Sequence, residues 1–257
     1  PVPNTQGAEQ YDLVVGKLTP DGDPLWTRVF GGSGWDYIHS IAADEAGNIY
    51  VTGGTNSADL TLGPFELSNA GARDIWVVKL DPSGDPLWAY SFGGEAHDAS
   101  HALAVSPAGD VYVTGSLQSE MVNFGGENIY HVGFEGFHDI FLIKLDTDGN
   151  HQWSHGFGGY DWDLAKSVTL GPDETVYITG ALNSPSLSLG GEELTGSGPG
   201  DNEVDALAAA YDSDGQHLWS YTFGGPDDDI GYWISASPSG ALALGGTFNG
   251  TSDGEPW

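Results

Sequence analysis

From Asp74 to Leu117 the chain reads DIWVVKLDPSGDPLWAYSFGGEAHDASHALAVSPAGDVYVTGSL. The pattern returns from Asp139 to Leu182 as DIFLIKLDTDGNHQWSHGFGGYDWDLAKSVTLGPDETVYITGAL. The first stretch holds four apolar runs, DIWVVKL, PLWAYSF, HALAVS and DVYVTGS. Connectors such as DPSGD and PAGD, rich in Asp, Pro and Gly, suit tight hairpin turns, so each run reads as a strand. A Gly-Gly pair follows each Phe (Gly31-Gly32, Gly93-Gly94, Gly158-Gly159, Gly224-Gly225) and marks a sharper change of direction. No segment carries helical periodicity over a usable length.

Two further copies begin at Asp12 and Asp205. The matching tryptophans, Trp26, Trp88, Trp153 and Trp219, are separated by 62, 65 and 66 residues. At that period 257 residues hold four units with almost nothing left over. Four antiparallel strands repeated in this way predict an all-β fold, a β-propeller of four blades in one domain spanning residues 1–257. Its repeat units start near residues 12, 74, 139 and 205. The chain begins with one half of a unit, Asp12 to Phe30, and ends with the other half, Ile234 to Thr247. Pairing the first and last strands in one blade would close the ring and remove exposed sheet edges. A slice of a larger propeller is the alternative.

The motif DxxxxKLDxxGxxxWxxxFGGxxxDxxxxIAxxxxGxxYVTG, present four times, resembles the bacterial beta-propeller repeat called SBBP. That resemblance implies propeller architecture and export, and no particular reaction. The fourth copy departs from the motif, with Ala209-Ala210 read in place of Lys-Leu and Ala243-Leu244 in place of Val-Thr. The count of four departs from the seven blades often read for the family.

Charge excludes whole classes of function. Six Lys and Arg against 37 Asp and Glu give a formal net charge of −31. Phosphate backbones and anionic bilayers would be repelled, which argues against nucleic-acid binding and membrane insertion. A high-salt source explains such acidity equally well. With no cysteine there is neither a disulfide nor a thiolate metal site. The opening PVPNTQGAEQ reads as a processed mature protein or an excised piece. The SBBP resemblance implies a bacterial, exported protein, extracellular, on the cell surface or periplasmic, and a monomer is expected.

Several positions invite chemistry. The repeated tryptophans are expected to wedge between adjacent sheets. Asp21-Gly22-Asp23, Asp146 to Asn150 and Asp212 to Gly215 resemble the opening of a calcium loop, but they lie between strands and suit hairpin turns better. An aspartate recurs four residues after each Gly-Gly, as Asp36, Asp98, Asp163 and Asp229. Each could shape its own loop, or the four could share an axial metal, with calcium the candidate ion. No cofactor is required by any motif. Neighbouring positions vary from copy to copy: Trp35, His97, Trp162 and Asp228 before the aspartate, and His39, His101, Lys166 and Tyr232 after it. Variation on one rim of a repeated frame is where binding specificity sits. The candidate ligand-binding set is Trp35, Tyr37, His39, His97, His101, Tyr160, Trp162 and Tyr232, with His39 and His101 as a candidate metal pair. The long connectors, expected to open on the same face, add Phe65, Tyr130, His131, Phe134, Phe137 and His138.

GxSxG, P-loop and HExxH motifs are all absent. The expected function is therefore non-enzymatic binding of a glycan or protein partner through one loop face. A structural spacer and a polysaccharide-active enzyme are the alternatives.

Overall fold

A computed structural model describes residues 11–133, 135–196, 204–225 and 227–249. Strands β1 (Leu13–Leu18) and β2 (Pro24–Gly32) form the first hairpin. They are followed by β3 (Asp36–Ala43), β4 (Ile49–Thr55), β5 (Asp59–Leu62), β6 (Phe65–Ser68), β7 (Asp74–Leu80) and β8 (Pro86–Phe92). The next unit holds β9 (Ala99–Val105), β10 (Val111–Leu117), β11 (Met121–Asn123), β12 (Asn128–Tyr130), β13 (Asp139–Leu145) and β14 (His151–Phe157). The third holds β15 (Asp163–Leu170), β16 (Val176–Leu182), β17 (Ser186–Ser188), β18 (Glu193–Thr195), β19 (Asp205–Tyr211) and β20 (His217–Phe223). Strands β21 (Asp229–Ala236) and β22 (Leu242–Phe248) end the described chain.

Three sheets are complete four-stranded antiparallel blades, in the orders β3-β4-β7-β8, β9-β10-β13-β14 and β15-β16-β19-β20. The hairpins β1-β2 and β21-β22 are half-blades at the two ends, and no pairing joins β1 to β22 among the described residues. Inner strands follow one another: β3 lies against β9, β9 against β15 and β15 against β21.

The connectors between second and third strands are not open loops on the face. They fold into the short hairpins β5-β6, β11-β12 and β17-β18, which pack on the outer strands. Gly31 and Gly32 of β2 pair with Thr61 and Leu60 of β5. Phe134 and the terminal connectors 1–10 and 250–257 lie outside the described residues.

The core sits between blades rather than within them. Along β7, Ile75 and Val77 pack with Val111, Val113, Phe141 and Ile143 of the next blade. Trp76, Val78 and Leu80 point the other way, onto Leu13 and Val15. Strands buried on both faces lose the alternation of a one-sided sheet, which is why DIWVVKL is a continuous apolar run. In β1 only one face is covered: Leu13 and Val15 are buried, while Val14 and Leu18 are 56% and 60% exposed.

The repeated tryptophans are inter-blade wedges. The indole N–H groups of Trp26, Trp88 and Trp153 donate to the carbonyls of Pro82, Thr147 and Ser213 in the next blade's turn. A Cβ on the turn glycine would stand 2.9 Å from Trp26 at Gly84, 2.9 Å from Trp88 at Gly149 and 2.8 Å from Trp153 at Gly215. Within those turns Asp146 accepts from its own backbone at Asp148 and Asn150, as hairpin geometry requires.

Pairing register also corrects the reading of the fourth copy. Lys79 and Leu80 lie opposite Tyr50 and Ile49, and the equivalent residues opposite Tyr177 and Val176 are Ala210 and Tyr211, not Ala209 and Ala210. By the same register, Leu244 and Gly245 replace Val-Thr.

Candidate functional site: four bulges around an axial cavity

Each inner strand pairs with its neighbour through one irregularity at an equivalent place. The register slips between Ile38 and Ser40, Ser100 and Ala102, Ala165 and Ser167, and Gly231 and Trp233. The residues left over are His39, His101, Lys166 and Tyr232. A β-bulge inserts one residue, bends the strand and re-aims that side chain. Opposite each bulge stands the glycine of the repeated TG or GG: Gly53, Gly115, Gly180 and Gly246. A Cβ there would run into the carbonyl oxygen of Tyr37, Ala99, Leu164 or Ile230 respectively. The bulge is thus built into the repeat, and only the side chain it aims differs.

Those four side chains converge. A cavity of 340 Å³ is lined by Ile38, His39, His101, Lys166, Tyr232 and Trp233, residues of all four inner strands. His39 Nδ1 lies 2.5 Å from the carbonyl oxygen of Ser100, and His101 Nδ1 lies 2.6 Å from that of Ala165. A carbonyl oxygen only accepts, so both rings carry hydrogen on Nδ1 and leave Nε2 as a bare lone pair. Burial, reinforced by the Lys166 charge, pushes His101 down to about 4. Withdrawal from water also lowers His39 and Lys166. At neutral pH the cavity therefore offers two imidazole acceptors, one amine, a phenol and the indole of Trp233, which is 70% exposed.

The aspartates that looked like an axial ring are buried junction pins. Asp98 accepts from the backbone N–H of Gly94, Gln118 and Ser119 and from the Ser119 hydroxyl at 2.6–3.1 Å. Asp163 repeats this with Gly159, Asn183 and Ser184. Asp36 uses Gly32, Thr55 and Ser57, and Asp229 uses Gly225 and Asn249. Each carboxylate is spent on its own blade junction. Among the described residues no three His, Asp or Glu are placed to hold a metal ion.

Beside each pin lies a second buried aspartate from the preceding blade. The backbone N–H of Asp98 donates to the carbonyl of Arg73, and that of Asp163 to the carbonyl of His138. This brings Asp74 beside Asp98 and Asp139 beside Asp163. Burial, with the neighbouring carboxylate adding to it, raises Asp74 and Asp139 to about 6; burial alone raises Asp163 to about 6. The Gly-Gly pairs serve this junction. A Cβ on Gly93 would strike Asp74, and one on Gly94 would strike Ser119.

Of the other sequence-predicted residues, Trp35 and Tyr37 form an aromatic path into the cavity. Tyr11 meets Trp35 edge-on at 6.0 Å, and Tyr37 stacks on His39 at 6.5 Å. The backbones of His97 and Arg73 form a bridge at the junction, and His97 does not line the cavity. Tyr160 and Trp162 do not line the axial cavity, Tyr160 being 68% exposed. Sequence reasoning noted Lys166 without placing it in the site, and it missed Ile38 and Trp233. The signal that could have found them is the glycine opposite each bulge. A larger cavity of 730 Å³ opens at the rim between β2 and the β5-β6 hairpin and receives none of the predicted site residues.

The beta-propeller repeat of the SBBP type matches residues 25–61. The chain is 25% identical over 268 residues to an uncharacterized WD repeat-containing protein of Acanthamoeba polyphaga mimivirus, covering 90% of this chain and 19% of that protein. It is 26% identical over 163 residues to the regulatory protein FlaEY of Caulobacter vibrioides, covering 62% and 16% respectively. The chain thus spans less than a fifth of the length of either relative. A Bacteroides caccae protein of unknown function aligns in structure with a TM-score of 0.25 and 11% identity, over 79% of this chain and 87% of that one. With a unit like the matched one repeated along an all-β chain of antiparallel sheets, the chain is similar to SBBP-type β-propeller-repeat proteins.

Proposed function

We propose that the chain is a non-enzymatic binding module of an exported bacterial protein, which seats a glycan or protein partner at the axial cavity. One observation carries this reading. Around the axis the bulge, the opposing glycine and the pinned aspartate repeat in every inner strand, while the aimed side chains are His, His, Lys and Tyr. A frame held constant with one variable position per strand is the arrangement of a recognition surface. Acceptors, a donor and an exposed indole beside one another suit hydroxyl-rich or peptide ligands. The Caulobacter relative is named a regulatory protein, a role that binding would serve.

The same reading includes ring closure in four blades. In the complete blades the second strand pairs with the third in one register, for example Ile49 with Leu80 and Thr55 with Asp74. Carried to the half-blades, that register sets Leu242 opposite Leu18, Leu244 opposite Gly16 and Phe248 opposite Asp12. A groove of 380 Å³ runs along β1 and β3, lined by Tyr11, Leu13, Val14, Tyr37 and Ile38. Gly22, whose counterparts abut tryptophans, has nothing within 4 Å of an added Cβ, and closure would bring it onto Trp219.

A glycan array and pull-down screen on the wild type, repeated with His101→Ala, Tyr232→Ala and Tyr160→Ala, tests the seat. The expected result is at least a tenfold loss for the two cavity variants and none for Tyr160→Ala. Unchanged binding of every ligand in both cavity variants would overturn it.

A further inference from the structure

The six cationic side chains differ in one respect. Lys17 donates to the Pro82 carbonyl, Arg28 pairs with Asp85, and Arg73 donates to Asn56. Lys79 donates to Thr147 at 2.7 Å, and Lys144 pairs with Asp110 at 2.9 Å. Lys166 alone has no hydrogen-bond or ion-pair partner among the described residues, in a chain with 37 acids. It is the bulge residue of β15 and lines the axial cavity with His39, His101 and Tyr232.

The surroundings select among ligand classes. An anion would meet one cationic group, two imidazole lone pairs and the field of a −31 chain. A metal ion would meet two histidines and a competing ammonium. An uncharged carbonyl compound suits the cavity better. Burial holds the Lys166 amine below its ordinary range, so a larger share carries a free lone pair at neutral pH. The neutral His101 ring, with its hydrogen on Nδ1, offers Nε2 as an acceptor.

We propose that Lys166 is a reactive amine that captures an aldehyde or ketone ligand in the axial cavity as an imine. The Nζ lone pair attacks the carbonyl carbon, a C–N bond forms, and the C=O π pair moves to oxygen. A proton passes from nitrogen to that oxygen, giving the carbinolamine. The hydroxyl then leaves as water, taking a proton that His101 Nε2 relays from nitrogen, and C=N remains. Amine plus carbonyl gives imine plus water, with no oxidant or reductant.

This inference shares the cavity with the binding reading, but its test reads a covalent bond at one atom. Wild-type protein is incubated with glycolaldehyde and cyanoborohydride at pH 7, and lysine labelling is mapped by peptide mass. Lys17, Lys79 and Lys144 serve as internal controls. Lys166 is expected to label at least tenfold faster than Lys17, to reach half its maximal rate at a lower pH, and to lose this advantage in urea. Lys166→Arg removes the label, and His101→Gln slows it. Labelling of Lys166 no faster than Lys17, or an advantage that survives unfolding, would overturn the proposal. Binding of alditol-capped glycans without label at Lys166 would sink the imine and leave the binding reading standing. Label at Lys166 with no glycan or protein ligand would do the reverse.

Discussion

A methyl group on Gly115 would run into the carbonyl oxygen of Ala99, which the His101 bulge pushes toward it. Backbone cannot yield as a flexible side chain can. Gly115→Ala should therefore cost about 1–3 kcal/mol, seen as a lowered midpoint in urea. Gly16→Ala is the control: its new Cβ would meet nothing nearer than 3.6 Å, and the change should be neutral or slightly stabilising. Equal losses would mean that the bulge does not dictate the glycine. Asp74 offers a test of opposite sign. Its Oδ2 accepts from the Ala70 N–H, its buried Oδ1 makes no hydrogen bond, and the Asp98 charge bears on it across the junction. In Asp74→Asn the amide N–H₂ replaces that oxygen beside a carboxylate, which should stabilise at pH 7 by about 1 kcal/mol. Asp98→Asn should destabilise, because Asp98 accepts three N–H groups and one hydroxyl. Thermal melts of both variants check the contrast.

Between elements, the junction aspartates and the axial histidines pull stability in opposite directions with pH. Asp74, Asp139 and Asp163 sit at about 6 in the folded chain, above the ordinary 3.8. The folded state then holds more protons than the unfolded one between these values. Their contribution is complete below about pH 4 and is lost as pH rises through about 6. His101, lowered from 6.5 to about 4, behaves conversely: its contribution is present above pH 6.5 and is lost as pH falls toward 4. Melting temperature from pH 4 to 7 at fixed ionic strength should fall less steeply with rising pH in Asp74→Asn than in wild type. An unchanged slope would remove Asp74 from the account. The wedges are larger. Trp88 is 8% exposed and packed between two blades, and Trp88→Ala should cost about 3–5 kcal/mol.

This is also the scale at which the sequence was only partly legible. Strands such as DIWVVKL were readable because burial on both faces makes a run of apolar residues with Asp, Pro and Gly at its ends. The hairpins β11-β12 and β17-β18 were not, since each strand is three residues long and buries little beyond Val122 or Leu187. The bulges escaped notice because one inserted residue leaves HALAV looking like any strand. Only Gly115 across the ladder records it. The choice between the two roles of the aspartates stayed open for a related reason: spacing places a carboxylate, but not the Ser and backbone donors that fill its lone pairs.

For the whole molecule, 37 acids against six strong bases must strain the folded state at low salt. Sodium chloride should raise the melting temperature, and calcium should add nothing once ionic strength is high, because Asp36, Asp98, Asp163 and Asp229 already serve their own junctions. A saturable rise at sub-millimolar calcium, lost in Asp98→Asn, would contradict this. The four-fold repeat and its period told the blade pattern directly, whereas closure depends on whether two half-blades meet, and no single strand encodes that. The axial seat depends on it too, since His39 and Tyr232 belong to opposite ends of the chain. With no native cysteine, cross-linking answers the question cleanly. Gly16→Cys with Leu244→Cys, and Val15→Cys with Gly245→Cys, are neighbouring pairs in the inferred ladder, and alternate pairs of an antiparallel ladder approach closely enough for a disulfide. Under mild oxidation, closure in four blades predicts an intramolecular disulfide in the monomer of at least one pair, found by peptide mass. No cross-link in either pair, or cross-linked dimers alone, would contradict it.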